Sequence, residues 1–209
     1  MKTIRYGSSG DDVRSLQMLL GIKPVDGIFG KQTEIAVKNF QESRGLVSDG
    51  IVGAKTWNEL TNKSKGMDIK KSKRIIKEII VHCTATQEGK DFTVADIDKW
   101  HKARGFSGIG YHYVIYRDGS VHDGRDVNLV GAHCVGHNAN SIGVCYVGGC
   151  ANDGKLTPKD TRTNAQKTAL EILLRKLRTL YPNAKIYGHR DFANKACPSF
   201  DAKREYRYI

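Results

Sequence analysis

Two residues with the chemistry of metal ligands, His189 and Cys197, stand eight positions apart near the end of the chain. They follow a short apolar run, so we expect them on an irregular loop that begins where a strand ends. A catalytic zinc ion is normally held by three protein ligands and leaves a fourth position for water. The third ligand must therefore come from elsewhere. His82 is the best candidate, because the apolar residues 79–81 before it predict a buried strand.

Each of these residues alone is a weak signal, since a lone histidine is more often structural and a lone cysteine more often a small buried apolar residue. Four segments together carry the interpretation: the strand that ends near His82, residues 109–113, residues 136–143 and the loop 195–198. In this order they resemble the zinc-dependent N-acetylmuramoyl-L-alanine amidases of type 2, a family that includes phage lysozymes and the peptidoglycan recognition proteins. The resemblance covers roughly residues 75–206.

The resemblance implies that His82, His189 and Cys197 bind Zn²⁺, which would polarise the scissile carbonyl and lower the pKa of its water toward ~7. It also implies that Tyr111 positions or deprotonates this water and that Lys195 stabilises the developing oxyanion. The cleaved bond would be the amide between N-acetylmuramic acid and the L-alanine of the stem peptide. Purely binding recognition proteins lack the cysteine that is present here, so the chain is predicted to be an enzyme, an endolysin-type peptidoglycan hydrolase.

Strand geometry separates neighbouring candidates, because successive side chains of a strand point to opposite faces. One of Tyr111 and His112 can therefore face the metal, and the family pattern selects Tyr111. The same alternation turns Cys83 away from His82, and we interpret Cys83 as a buried packing residue.

Three further residues form a possible substrate groove: Thr84, His133 and Asn138. Thr84 returns to the His82 side of its strand, and the other two lie on a nearby loop. For His133, a role in fixing loop hydrogen bonds is an equal alternative. Asp191 and Arg190, beside His189, could orient a metal ligand or pair on the surface.

Turn signals and apolar periodicity predict the elements around the site. Thr93 and Asp96 have the spacing of a capping box, which predicts a helix start. A hairpin that turns at 117–120 and a strand over 141–147 follow, and Thr157 with Pro158 suggests the start of a long helix. With a last strand before His189, this order predicts an α/β fold, a mixed-sheet amidase domain flanked by helices with the site at its rim.

The first sixty residues contain an internal repeat, because residues 26–33 recur as residues 49–56 with the same Asp-Gly-Ile-x-Gly-x-x-Thr pattern. Each Asp-Gly supplies a tight turn, and Thr33 and Thr56 are plausible N-caps of following helices. Apolar stripes, with Ile35 in the second, predict a small three-helix unit. The repeat, with Leu-Gln at 16–17 and Phe-Gln at 40–41, resembles the peptidoglycan-binding domain type 1 of wall hydrolases.

These observations divide the chain into three parts. Residues 1–62 are predicted to be a peptidoglycan-binding three-helix domain, residues 63–74 a basic linker, and residues 75–209 the zinc amidase catalytic domain. The linker is rich in lysine and lacks a sustained apolar face, as exposed hinges do.

The formal net charge of +12 indicates attraction to polyanions, and an anionic envelope fits better than nucleic acid because no groove-reading motif concentrates the charge. The apolar runs are far shorter than the ~18 residues that span a bilayer. The start of the chain has no apolar segment of the secretory type. We therefore expect a protein that is cytoplasmic on synthesis and does not insert into membranes. The resemblance to phage endolysins implies that it needs a holin or lysis to reach bacterial peptidoglycan, and we expect a monomer.

Three other functions remain open, and each has a test. A noncatalytic peptidoglycan receptor would bind wall fragments without releasing stem peptides, and Cys197 argues against it. A zinc peptidase would cut within the stem peptide, which is harder to exclude because metal ligands define hydrolysis better than they define the bond cut. A cationic nucleic-acid protein would lose affinity steeply with salt and ignore peptidoglycan.

Overall fold

The computed structural model describes residues 2–61 and 69–209, and the chain divides into two compact units, Met1–Gly66 and Met67–Ile209. The described residues of the first unit form three helices, α1 (Asp11–Leu19), α2 (Lys31–Ser43) and α3 (Ala54–Thr61). Their apolar faces meet in one core, whose buried members are Ile4, Val13, Leu16, Phe29, Val37, Val52, Trp57 and Leu60. The predicted three-helix unit is confirmed.

Two details of this prediction are wrong. Helix α2 begins at Lys31 after Gly30, so Thr33 is its third residue and not its N-cap, and Thr56 holds the same place in α3. Both threonines are buried instead, because their hydroxyls face a buried glutamine amide. Ile35 was assigned to the apolar stripe but is 49% exposed, since Val37 occupies the core-facing position of this turn.

A buried glutamine joins each copy of the repeat to the preceding helix. The Gln17 amide nitrogen donates to Asp26 Oδ1 (2.7 Å) and to the Ile28 carbonyl (3.0 Å), while its oxygen accepts from the Gly27 N–H (2.9 Å). Gln41 makes the equivalent bonds in the second copy, to Asp49, Ile51 and Gly50. The repeat is therefore a duplicated hydrogen-bonded clamp that holds each Asp-Gly turn against a helix.

The second unit is an α/β domain built on a mixed sheet. Its strands are β1 (Glu78–Cys83), β2 (Thr86–Gln87), β3 (Tyr113–Ile115), β4 (Val121–Asp123), β5 (Ser141–Tyr146), β6 (Gly149–Cys150) and β7 (Lys185–Gly188); its helices are α4 (Val94–Ala103), α5 (Asn164–Leu180) and α6 (Ala202–Glu205). The five-stranded sheet has the order β4-β3-β5-β1-β7, and β2 pairs with β6 in a separate two-stranded ribbon. The predicted fold class is confirmed.

Strand β1 lies between β5 and β7 and is parallel to both, so the carboxyl ends of these strands meet at one edge of the sheet. All of its residues after Glu78 are buried, as the continuous apolar run predicts. This edge receives His82 from β1 and the chain that leaves β7 at Gly188. The topology therefore brings two distant segments together at the site.

The two long helices of the domain differ in how well their starts were predicted. Helix α4 begins after Thr93 in the predicted capping box with Asp96. Helix α5 begins at Asn164 and not near Pro158, because Thr163 and Gln166 form a second capping box that was not recognised. Pro158 instead forms a β-bridge with Cys150.

The described part of the predicted linker ends in contact with the second unit. Ser72 is buried; its N–H donates to the Tyr181 hydroxyl (2.6 Å) and its hydroxyl donates to the Val127 carbonyl (2.7 Å). Arg74 donates to the Ser141 carbonyl at 3.1 Å. Residues 63–68 of the linker prediction lie outside the described residues. These contacts join residues 72 and 74 to the second unit.

Candidate metal centre and substrate cavity

Three side chains converge at the carboxyl edge of the sheet. His82, His189 and Cys197 each offer one ligand atom, and these atoms lie within 4.8 Å of one another. The Cys197 Sγ is 3.8 Å from His82 Nδ1, and the rings of His82 and His189 are 4.7 Å apart at their centroids. Two imidazole nitrogens and one cysteine sulfur are donor types that open zinc sites use, so these three residues could hold such an ion.

Backbone hydrogen bonds fix the loop that carries two of these ligands. His189 directly follows β7 and opens a short 3-10 turn, which Asp191 closes by accepting from the Gly188 N–H (2.8 Å). The Arg190 N–H donates to the Cys197 carbonyl (2.7 Å), and the Cys83 N–H donates to Cys197 Sγ (3.3 Å). Asp191 therefore orders the turn that carries His189.

The electrostatic surroundings keep both imidazoles neutral. Burial lowers the pKa of His82 well below its ordinary value, and the adjacent His133 adds to this shift. Burial, followed by the charge of Lys195, also lowers the pKa of His189. A neutral imidazole keeps a lone pair for a metal ion. Both His82 and His189 can therefore offer a nitrogen lone pair to a metal ion.

The pKa of the Cys197 thiol is shifted upward. Contact with the Cys83 thiol, and then burial, raises the pKa of Cys197. A bound divalent cation acts in the opposite sense, because it deprotonates a coordinating thiol outright. The donor set thus fits a metal ion whose binding releases one proton.

A cavity of about 340 Å³ is lined by His189, and its walls include both predicted catalytic residues, Tyr111 and Lys195. The Tyr111 ring is 5.1 Å from the His82 ring, and burial raises the pKa of its phenol well above the ordinary value. Lys195 is exposed at the cavity wall. A protonated phenol and an ammonium group therefore face the same space as His189.

The predicted groove residues lie in three different settings. Asn138 lines the cavity, but its Oδ1 accepts from the N–H groups of His133 and Cys134 (2.9 Å each) and so holds the loop. His133 lines the cavity and contacts His82. Thr84 is not among the cavity-lining residues described, and its hydroxyl accepts from the Gly148 N–H (2.9 Å). The structure thus gives Thr84 a role in joining two strand ends.

Among the lining residues that were not singled out from the sequence are Arg104, Phe106 and Val135. The first two lie just beyond the end of α4, and Val135 is 95% exposed on the loop that carries His133. Their positions depend on how the segment after α4 packs against this loop. No spacing in the sequence signals that packing.

Comparison with known proteins agrees with this architecture. Residues 72–200 match the family described as N-acetylmuramoyl-L-alanine amidase, and residues 9–60 match one described as putative peptidoglycan binding domain. The endolysin of Escherichia phage T7 is 47% identical over 126 residues, which cover 60% of this chain and 82% of that protein. The endolysin of Klebsiella phage KP32 is 48% identical over 127 residues, with 61% and 83% covered.

A solved structure shows the same fold. The N-acetylmuramoyl-L-alanine amidase LysC from Clostridium intestinale URNW is 34% identical, with a TM-score of 0.52 over 64% of this chain and 83% of that chain. This chain therefore belongs to the N-acetylmuramoyl-L-alanine amidase family and is an amide hydrolase. It carries a peptidoglycan-binding domain ahead of the amidase domain. The predictions of family and of enzyme activity are confirmed. Within the described residues, every helix is too short or too polar to cross a membrane.

Proposed function

We propose that this amidase holds a zinc ion with His82, His189 and Cys197 and cleaves the amide between N-acetylmuramic acid and L-alanine in bacterial peptidoglycan. The observation that carries the proposal is the convergence of the three ligand atoms within 4.8 Å of one another. When bound, zinc supplies Lewis-acid chemistry, which polarises a carbonyl and lowers the pKa of a water molecule.

The chain's own residues supply the remaining parts of the reaction. Tyr111 is a protonated phenol beside His82, so it orients the attacking water by hydrogen bonding rather than removing its proton. Lys195 has an ammonium group with three donors and no lone pair, so it cannot ligate zinc. From the cavity wall it stabilises the oxyanion that develops on the scissile carbonyl.

The proposal assigns residues 1–62 to wall binding and residues 75–209 to catalysis, with the basic segment 63–74 between them. Tethering the catalytic unit to insoluble peptidoglycan raises its local substrate concentration without changing the chemistry. The net charge of +12 favours an anionic envelope in the same way. In the wall-lysis role of its endolysin relatives, the protein acts after a holin or lysis gives it access to the wall.

Mass spectrometry of digested peptidoglycan tests the bond assignment. The expected products are intact stem peptides with a free L-alanine amine and glycan strands that retain unsubstituted lactyl carboxylates. Fragments cut within the stem peptide would identify a peptidase instead. Binding without any released peptide would identify a receptor.

A further inference from the structure

We propose that His133 is a positioning residue that keeps His82 in the tautomer able to ligate the metal through Nδ1. The inference rests on the metal site proposed above and goes beyond it, because His133 is not itself one of the three ligands. The two nitrogens of His82 face different partners. Nδ1 lies 3.8 Å from Cys197 Sγ, whereas Nε2 lies 3.1 Å from His133 Nδ1.

These two contacts determine where the proton of neutral His82 must be. The nitrogen that faces Cys197 can bind a metal only if it carries no proton, so the proton belongs on Nε2. His82 is fully buried, and a buried N–H needs an acceptor. The Nδ1 of His133 is placed to accept it. The proton of neutral His133 then lies on Nε2, which is 3.4 Å from the Ser141 hydroxyl oxygen.

The reverse arrangement would disable the site. If His133 carried its proton on Nδ1, the Nε2 of His82 would have to accept, and the His82 proton would move to Nδ1. That nitrogen would then have no lone pair for a metal. The His133 tautomer and metal binding by His82 are therefore linked through one hydrogen bond.

The structure provides a slot for the His133 ring. A Cβ atom on Gly131 or on Gly143 would lie 2.5 Å from the His133 Cδ2 atom, so both positions have to lack a side chain. The His112 ring packs edgewise on the same imidazole at a centroid distance of 5.6 Å. Only 8% of His133 is exposed. These contacts hold the ring against His82 and leave little of it for contact with substrate.

The effect of the His133–His82 contact on metal affinity can be estimated from other metal sites in which a group orients a ligating histidine. Replacing a group that orients a metal-ligating histidine typically weakens metal affinity or activity by roughly 10- to 100-fold. We expect this loss for His133→Leu, which keeps an apolar side chain in the slot but removes the acceptor. His133→Asn should recover most of the affinity, because its Oδ1 can take the place of Nδ1 as acceptor.

The test uses the full-length chain and two readouts that do not require catalysis. The zinc dissociation constant is measured by competition with a chromophoric chelator for the wild type, His133→Leu and His133→Asn. His122→Leu serves as the histidine control, because His122 stacks on Tyr116 and lies on β4, the far edge strand of the sheet. Long-range ¹H–¹⁵N NMR of the metal-free wild type identifies which nitrogen of His82 carries the proton.

In the NMR measurement we expect the proton of His82 on Nε2. In the competition measurement we expect the zinc affinity to fall in His133→Leu, to recover in His133→Asn and to stay unchanged in His122→Leu. An Nδ1-protonated His82 in the wild type would overturn the inference, and this measurement needs no folded variant. A folded His133→Leu with wild-type zinc affinity but a raised KM would also overturn it, since that pattern identifies a substrate contact. If the wild type binds zinc but releases no stem peptide, the proposed function fails while the tautomer result still decides the role of His133.

Discussion

Removing one glutamine side chain should strongly destabilise the first unit while leaving amidase chemistry intact. The perturbation is Gln41→Ala. Gln41 is 1% exposed, and its amide holds the second Asp-Gly turn against α2. Alanine favours the helix, so the loss arises from the missing amide and not from helix propensity.

The hydrogen bonds of Gln41 set the size of the effect. Its nitrogen donates to Asp49 Oδ1 (2.8 Å), the Ile51 carbonyl (3.0 Å) and Thr56 Oγ1 (3.1 Å), and its oxygen accepts from the Gly50 N–H (2.9 Å). Two N–H groups share the three acceptors, so we count one bond to a charged group, one neutral bond from the amide nitrogen and one to its oxygen. At about 1.5–3 kcal/mol for the charged bond and about 1 kcal/mol for each neutral one, the sum is roughly 3–5 kcal/mol. Asp49 is exposed and can regain water, which reduces the loss to about 2–4 kcal/mol.

A unit of some sixty residues has a stability of only about 3–9 kcal/mol, so this loss is a large part of the total. Urea unfolding followed by the fluorescence of Trp57, which is buried in the core of this unit, measures it in a Trp100→Phe background. Gln32→Ala on the exposed face of the same helix is the control and should change stability by less than about 0.5 kcal/mol. Gln17→Ala should match Gln41→Ala, because its bonds are equivalent. If Gln41→Ala were as stable as the control, the clamp would not stabilise the unit.

Other predictions concern the site and its pH dependence. Chelation should abolish turnover and added zinc restore it; full activity of the metal-free protein would contradict the proposed metal. Lys195→Ala should keep stoichiometric zinc and lose roughly 10²–10³-fold in kcat, whereas Cys197→Ala should lose the metal; an unimpaired Lys195→Ala would remove this residue from the site. Deleting residues 1–66 should leave activity on soluble fragments and weaken binding to insoluble peptidoglycan; total loss of activity on small fragments would refute the domain division. Burial lowers the pKa values of His101 and His112 to about 4, whereas both residues titrate near pH ~6.5 in the unfolded chain. The unfolded state therefore binds more protons as the pH falls below ~6.5. The free energy of unfolding should drop by about 1–2 kcal/mol for each histidine at pH 5. Urea unfolding of metal-free protein at pH 7.5 and pH 5 checks this, and equal stability would contradict it.

The sequence predicted the elements whose signals are local. The apolar run before His82 predicts a strand buried on both faces, and β1 is such a strand between two parallel neighbours. The Thr93 capping box also needs only residues close in sequence. The start of α5 was missed because Thr157 with Pro158 and Thr163 with Gln166 are competing local signals. The β-bridge of Pro158 to Cys150 takes that residue away from the helix.

Buried polar partners were the least predictable part of the chain. Gln17 and Gln41 occupy core-facing helix positions, where a polar residue contradicts the apolar pattern. Their acceptors lie in turns that follow in the chain, so each glutamine is explained only when turn and helix are both in place. Thr33 and Thr56, which were expected to be N-caps, accept hydrogen bonds from the same glutamine side chains.

The ambiguity of His133 has the same physical origin. A loop histidine can contact substrate or fix its surroundings, and the residue types next to it in the chain fit both roles. What separates the two is which ring nitrogen faces which atom, and this depends on residues brought close by the sheet. Gly143 lies on β5, paired with Ile80 of β1, two residues before His82. A side chain at Gly143 would fill the space of the imidazole. The β1–β5 register thus sets both the position of the His82 ring and the space in which His133 Nδ1 meets His82 Nε2. A substitution that shifts this register should therefore weaken zinc binding without changing any of the three proposed ligands.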